Sequence, residues 1–228
     1  MKHVPNALTL LRLVLAPVIA WLMWQALVAP PAPSESLGYP GDDFFFVRDD
    51  IAAIARSLAL AAILFVIAAL TDLFDGMIAR AFNAHSKFGR LIDPIADKAL
   101  VGLPLIVISV GMWSSGYPLW PIVALATTII VVRDVAMTVI RLRATDGEGA
   151  RVSSLAKIKT ALELIVIGSL LVVAAIGAHM QLQASLEDPT GVFVLPYAPI
   201  FELSWIALLI VTATLSASTA LQYLRPKR

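Results

Sequence analysis

The stretch T-D-L-F-D-G-M-I-A-R-A-F-N-A-H-S-K-F-G-R-L-I-D-P-I-A-D-K, from Thr71 to Lys98, joins two long apolar runs and sets four carboxylates at helical intervals between them. Asp72, Asp75, Gly76, Ala79 and Arg80 fall at i, i+3, i+4, i+7 and i+8, so on a helix they share one stripe. Gly89, Asp93 and Asp97 fall at i, i+4 and i+8 and share a second. The polar turn from Asn83 to Lys87 reverses the chain, which predicts that the two stripes face each other across adjacent antiparallel helices. Like charges crowded beside lipid repel one another and resist leaving water, so they persist where a cation or a proton relay compensates them. Carboxylate oxygens are hard ligands, which favours magnesium, manganese or calcium.

The composition identifies the surrounding solvent. Hydrophobic residues make up 59% of the chain and charged residues 14%, against about 25% charged in an ordinary soluble domain. Apolar runs near residues 13–29, 51–73, 95–115, 118–140, 160–180 and 201–224 are long enough to approach or cross about 30 Å of hydrocarbon. The predicted fold is therefore an all-α integral membrane protein of six transmembrane helices in one domain over residues 1–228. The residues before Arg12 form a short amphipathic surface helix in this reading, with Leu8, Leu11 and Leu15 on one side and Asn6, Thr9 and Arg12 on the other. No cleavage site follows the first apolar run, so that span is read as retained. Cysteine is absent, which excludes thiol catalysis and zinc-thiolate sites. His3, His85 and His179 are scattered and lack metal-ligand spacing.

Charge distribution orients the spans. Lys2, Arg80, Lys87, Arg90, Lys98, Arg141, Arg143, Arg151, Lys157, Lys159, Arg225, Lys227 and Arg228 lie in the terminal segments or in alternate loops, while the opposite loops carry Glu35, Asp42, Asp43, Asp49, Asp50, Glu187 and Asp188, with Arg48 the only clear basic residue among them. The positive-inside bias places both termini in the cytosol. The proline- and acid-rich segment from about 30 to 50 reads as an outward loop, with Phe44, Phe45 and Phe46 as an interfacial anchor. Asp72 follows the outward entry of the second span by about 21 residues, or roughly 30 Å of helix, which brings the acids to the cytosolic boundary.

Four carboxylates converging at that boundary suit a pair of divalent cations gripping a pyrophosphate, and hence a phosphoryl-type transfer. Gly76, Ala79 and Gly89 leave room for a ligand or a partner backbone. Arg133 lies within its span and needs a partner. With Arg141, Lys157 and Lys159 it supplies cations suited to an acceptor that itself carries phosphate, although the latter three also suit headgroup contact and topology. Asn6, Thr9 and Arg12 are placed either to touch substrate or to cap and meet headgroups. An ion-coupled transporter is the alternative from another class, but its acids belong near the midplane on broken helices.

The pattern D-x2-D-G-x2-A-R-x8-G-x3-D-x3-D is met at every fixed position by Asp72, Asp75, Gly76, Ala79, Arg80, Gly89, Asp93 and Asp97, and in this the chain resembles the CDP-alcohol phosphatidyltransferases. The resemblance implies six spans with an amphipathic amino-terminal helix, a homodimer in the inner membrane with its site facing the cytosol, and no nucleic-acid partner. It implies two Mg2+ or Mn2+ ions held by Asp72, Asp75 and Asp93 with Asp97 close by as general base, and a CDP-lipid surface formed by Asp72, Gly76, Ala79, Arg80 and Gly89. V-P-N-A-L-T-L-L-R from Val4 to Arg12, V-R-D-V-A-M-T-V-I-R around Arg133 and V-S-S-L-A-K-I-K-T-A-L-E around Lys159 resemble the phosphatidylglycerophosphate synthase branch. That branch implies CDP-diacylglycerol as donor and glycerol 3-phosphate as acceptor. It usually has glutamate where Asp134 stands, glycine where Ala156 stands and glutamine where Glu163 stands. Phosphatidylglycerol, as in cardiolipin synthases, and inositol phosphate are the alternative acceptors.

Overall fold

The computed structural model describes the backbone over residues 4–28, 42–82, 87–143, 154–187 and 198–224, and side chains over 8–28, 51–71, 92–140, 158–187 and 200–221. Six helices occupy these residues: α1 (Val4–Leu27), α2 (Asp42–Phe82), α3 (Lys87–Ser114), α4 (Trp120–Arg143), α5 (Ser154–Glu187) and α6 (Ala198–Leu224). Each contains a stretch long and apolar enough to cross a bilayer, and no strand occurs among the described residues. An all-helical fold is the expected answer to lipid, where every backbone polar group needs an internal partner. The chain is a multi-pass membrane protein.

Three boundaries differ from the sequence expectation. The segment before Arg12 is helical, but it continues without a break into the first span as the opening turns of α1. Thr9 and Arg12, 3% and 2% exposed, point into the bundle, so their polar groups are met by other helices and not by headgroups. The helix α2 begins at Asp42 and takes in Phe44, Phe45 and Phe46, residues expected in a loop. Its 41 residues extend roughly 60 Å, about twice the hydrocarbon thickness. Helix α5 likewise runs on to Glu187. Hydropathy marks where a helix leaves lipid, and a helix is free to continue beyond that point.

Among the described residues the helices do not pack simply in chain order. Helix α1 lies against both α2 and α3, α2 packs on α5, α3 on α4, and α6 closes against α4 and α5, while α2 and α3 scarcely touch among the described residues. Since lipid tails are as apolar as leucine, such contacts depend on close fit, which small residues permit. Buried Ala16, Ala20, Ala61, Ala62, Ala68, Ala126 and Ala213 supply it, with Phe65, Leu105, Ile108, Ile130, Ile167 and Leu209 filling the spaces between. Val14, Trp21, Leu125, Val132, Ile200 and Leu203 face outward as a lipid-facing surface.

Specific polar contacts fix the pairings. The Ser109 Oγ lies 2.9 Å from Thr127 Oγ1, joining α3 to α4, and Trp205 Nε1 donates to the Val166 carbonyl at 2.7 Å, joining α6 to α5. Helix α3 ends where Gly116 adopts φ 68°. Its N–H donates to the Trp113 carbonyl and that of Tyr117 to the Met112 carbonyl, the two closing bonds of a Schellman turn. Pro118 then prevents further helix.

Helices α1 and α3 run parallel and stay in register along their length. Thr9 meets Asp93 and Arg12 meets Asp97 at separations of 84 and 85 residues. At the other end Leu27 lies against Gly111 with the same offset, where an added Cβ would fall 3.1 Å from Leu27 Cβ. This register brings the polar face of α1 onto the second acidic stripe.

Candidate active site

Polar and charged side chains gather at one end of the bundle. Asp93, Asp97 and Lys98 lie in the opening turns of the third span, Thr9 and Arg12 in those of the first, Lys159 and Glu163 in those of the fifth, and Arg133, Asp134 and Thr219 toward the ends of the fourth and sixth. Each belongs to a helix entering or leaving on the same side, so alternation of direction assembles them without any loop.

The first group joins α1 to α3. The Thr9 hydroxyl donates to the Asp93 carboxylate, and the Arg12 guanidinium forms an ion pair with Asp97. The Arg12 side chain is 3% exposed, whereas that of Asp97 is 37% exposed. Asp97 is thus anchored from α1 while about a third of its side chain stays accessible.

A second group, centred on one carboxylate, joins four helices. Asp134 Oδ1 accepts from Arg133 Nη1 at 2.8 Å and from Lys159 Nζ at 2.5 Å, and Asp134 Oδ2 lies 2.8 Å from Lys98 Nζ. Lys159 Nζ is also 2.7 Å from Glu163 Oε1 one turn along α5, and Arg133 Nη2 donates to Thr219 Oγ1 at 3.0 Å. Buried charges must be paired and hydrogen-bonded because each loses its hydration. The pairing here is incomplete: Arg133 Nε and Glu163 Oε2 have no hydrogen-bond partner among the described residues. Three cations share two carboxylates, which leaves one positive charge in excess within this group.

Not every expected residue falls in the described region. Asp72, Asp75, Gly76, Ala79 and Arg80 lie on α2, Gly89 on α3, Arg141 on α4 and Lys157 on α5, but their side chains lie outside it. Among the described side chains no three of His, Cys, Asp and Glu converge as a metal site. Asp93 and Asp97 contribute oxygen donors one turn apart, of the kind that suits a hard divalent cation. Arg133 finds the partner that its depth requires, in Asp134 and Thr219. Lys159 is held between Asp134 and Glu163 and is 1% exposed.

Sequence reasoning gave no site role to Lys98, Asp134, Glu163 or Thr219. A signal existed for two of them: an acid next to an arginine inside a span, and a lysine and glutamate at i and i+4. For Lys98 and Thr219 only the helix packing reveals the contact.

A family model for CDP-alcohol phosphatidyltransferase matches residues 2–187. A Cereibacter sphaeroides protein named CDP-diacylglycerol–glycerol-3-phosphate 3-phosphatidyltransferase is 35% identical over 168 residues, 73% of this chain and 62% of that protein. Proteins of the same name from Rickettsia typhi and Bacillus subtilis are 38% identical over 108 residues and 33% identical over 174. The match covers 47% of this chain and 46% of the first, and 75% of this chain and 77% of the second. The chain thus spans less than two thirds of the Cereibacter and Rickettsia relatives. With the family model matching most of its length and the acid-bearing helices within the match, the chain belongs to the CDP-alcohol phosphatidyltransferase family.

Proposed function

We propose that the protein transfers the phosphatidyl group of CDP-diacylglycerol to glycerol 3-phosphate, giving phosphatidylglycerophosphate and CMP. The observation that carries this reading is the gathering, at one end of the bundle, of the partly exposed Asp97 carboxylate and a buried ionic cluster in which three cations share two carboxylates. The names of the relatives agree with the donor and the acceptor.

Asp97 takes the proton from the acceptor hydroxyl, the resulting alkoxide attacks the β-phosphorus of the lipid, and CMP leaves. Arg12, paired to Asp97 from α1, orients that carboxylate, and Thr9 does the same for Asp93. The family generally uses divalent metals, and Asp72, Asp75, Asp93 and Asp97 are the residues that would hold two Mg2+ or Mn2+ ions. Bound there, such ions would supply positive charge to offset the pyrophosphate and the charge that develops as it is split. Gly76, Ala79, Arg80 and Gly89 form the CDP surface in this reading. Arg133, Lys159, Arg141 and Lys157 supply the positive potential that draws a phosphorylated acceptor. Basic residues concentrated at the site's end support a position on the cytosolic face of the inner membrane. There a water-borne acceptor meets a lipid-anchored donor.

The test supplies purified protein with CDP-diacylglycerol and magnesium and compares glycerol 3-phosphate, phosphatidylglycerol, inositol phosphate and serine as acceptors by CMP release. Turnover with glycerol 3-phosphate above the others is expected. Preference for another acceptor replaces the substrate assignment, and folded protein that releases no CMP with any of them removes the transferase reading.

A further inference from the structure

We propose, independently of the transferase reading, that an apolar pocket at the end of the bundle opposite the acids takes in one acyl chain of a phospholipid anchored in the adjoining leaflet. The pocket measures about 290 Å³ and lies where α1 ends at Leu27 and α3 at Ser114, while α2 and α5 run on past it. Buried Met23, Ile108 and Leu171 form its inner part, and Leu27, Ser115 and Tyr117 its outer part. No charged side chain lines it among the described residues, and its two polar ones, Ser115 and Tyr117, both stand at the outer part. The pocket opens between α3 and α5, which touch little elsewhere, so an inserted chain completes the packing between them.

Depth identifies where the chain comes from. Gly111 stands 18 residues after Asp93 on α3, or roughly 27 Å of helix, whereas half of the hydrocarbon is about 15 Å. A lipid anchored beside the acids ends its chains short of the pocket, and one anchored in the other leaflet starts beside it. Trp24 and Trp113 follow directly on the lining residues Met23 and Met112 and are exposed, so the pocket wall is continuous with the lipid-facing surface at the level where indoles mark the membrane boundary. A chain gains no hydrophobic free energy by leaving lipid for this pocket, since both are apolar. It gains contact: the walls of an apolar pocket do not hold water, and without an apolar occupant they lack van der Waals partners. Met23 and Met112 are unbranched and adapt to such an occupant. Ser115 and Tyr117 stand where the ester groups of the lipid belong.

Photolabelling of the wild-type chain in phosphatidylcholine vesicles tests this, using phosphatidylcholine with a diazirine either near the ester or near the end of one chain, followed by peptide mass spectrometry. The chain-end probe should label Met23, Ile108 or Leu171, which lipid on the outer surface does not reach, besides the exposed Leu125 and Val132. The near-ester probe should label Ser115 or Tyr117. As the probe's share of the lipid rises, labelling inside the pocket should saturate while that of Leu125 and Val132 grows in proportion. Label confined to exposed residues rejects the proposal, whether another segment of the chain, a second copy or nothing fills the pocket. Chain-end labelling of Met23 without near-ester labelling of Ser115 or Tyr117 overturns the choice of leaflet. Ala174→Phe brings a ring into the pocket from α5 and should lower pocket labelling several-fold at equal labelling of Leu125. Undiminished pocket labelling in folded Ala174→Phe also rejects the site, and if that variant does not fold, saturation in the wild type decides.

Discussion

At one end of α1 and α3 the contacts are Thr9 on Asp93 and Arg12 on Asp97, and at the other end of the same two helices Leu27 rests on the bare backbone of Gly111. Around Gly111 the bundle forms a half-open apolar pocket of about 290 Å³ lined by Met23, Leu27, Leu58, Ile108, Met112 and Leu171. Around Asp97 it holds five buried or half-buried ionic side chains drawn from α3, α4 and α5. Close packing is forgiving in lipid, where an apolar side chain is at home inside or outside. Buried charge is not, because every ion needs a partner at hydrogen-bond distance. A chain with 14% charged residues that spends so many of them inside one end of a membrane bundle has use for them there. On the proposed function, chemistry belongs to the charged end and architecture to the apolar end.

The largest effect should come from Asp97→Asn. The amide keeps the shape and still accepts a hydrogen bond from Arg12, but it cannot take a proton, so turnover should fall about 10²- to 10⁴-fold. Binding of CDP-diacylglycerol should be largely spared. CMP release and equilibrium binding of the donor measure the two separately, and equal loss of both would contradict the role as base.

Asp134→Asn strikes the node of the ionic group and leaves Lys98, Arg133 and Lys159 with the single carboxylate of Glu163. Breaking a buried pair by removing one partner typically costs roughly 3–5 kcal/mol, so the melting temperature in detergent should drop sharply and activity should fall with it. Full retention of thermal stability would mean that the cations rearrange freely, and the contrast between the two ends would lose its energetic basis.

Much of this was legible in the residues, and the limits have physical causes. Six spans follow from apolar run length alone, since the bilayer fixes how much helix must be hydrophobic. The start of α2 at Asp42 was not legible, because acids and aromatics outside lipid suit a helix as well as a loop. Asp93 and Asp97 were evident from their spacing. Their partners on α1 were not, because a contact between residues 84 apart depends on which helix wedges where. Arg133 announced its need for a partner by its depth, and the partner turned out to be the next residue in the chain. Asp134 and Glu163 both close on the ammonium of Lys159. In the sequence these two acids are 29 residues apart, and only the fold shows that they share one contact.

Gly111→Ala probes the apolar end. The new methyl would stand 3.1 Å from Leu27 Cβ and 3.3 Å from the Leu27 carbonyl oxygen, which is backbone and yields little. Overpacking of this kind costs about 1–3 kcal/mol, and the register of α1 on α3 must shift slightly to accept it. Gly102→Ala is the control, because its added Cβ meets Val131 Cγ2 at 3.7 Å, an ordinary contact. Thermal melting should separate the two variants, with Gly111→Ala the lower. Should both melt alike, the close approach at Gly111 is not what fixes the register.

The smallest effect is the sharpest test of the division, because it compares the same functional group at each end of α3. Ser109→Ala removes a buried hydroxyl 2.9 Å from both the Leu105 carbonyl and Thr127 Oγ1. A net loss of about 1 kcal/mol is expected, since Leu105 and Thr127 relax toward other partners. Turnover per folded molecule should not change. Thr9→Val removes a hydroxyl that donates to Asp93 and should cost a similar amount of stability, but there the orphaned acceptor is a carboxylate of the acidic stripe. Its turnover should fall several-fold at matched folded protein, with the required magnesium concentration altered. If Ser109→Ala lowers turnover as much as Thr9→Val does, the bundle transmits strain from end to end and the site cannot be assigned to one end of it.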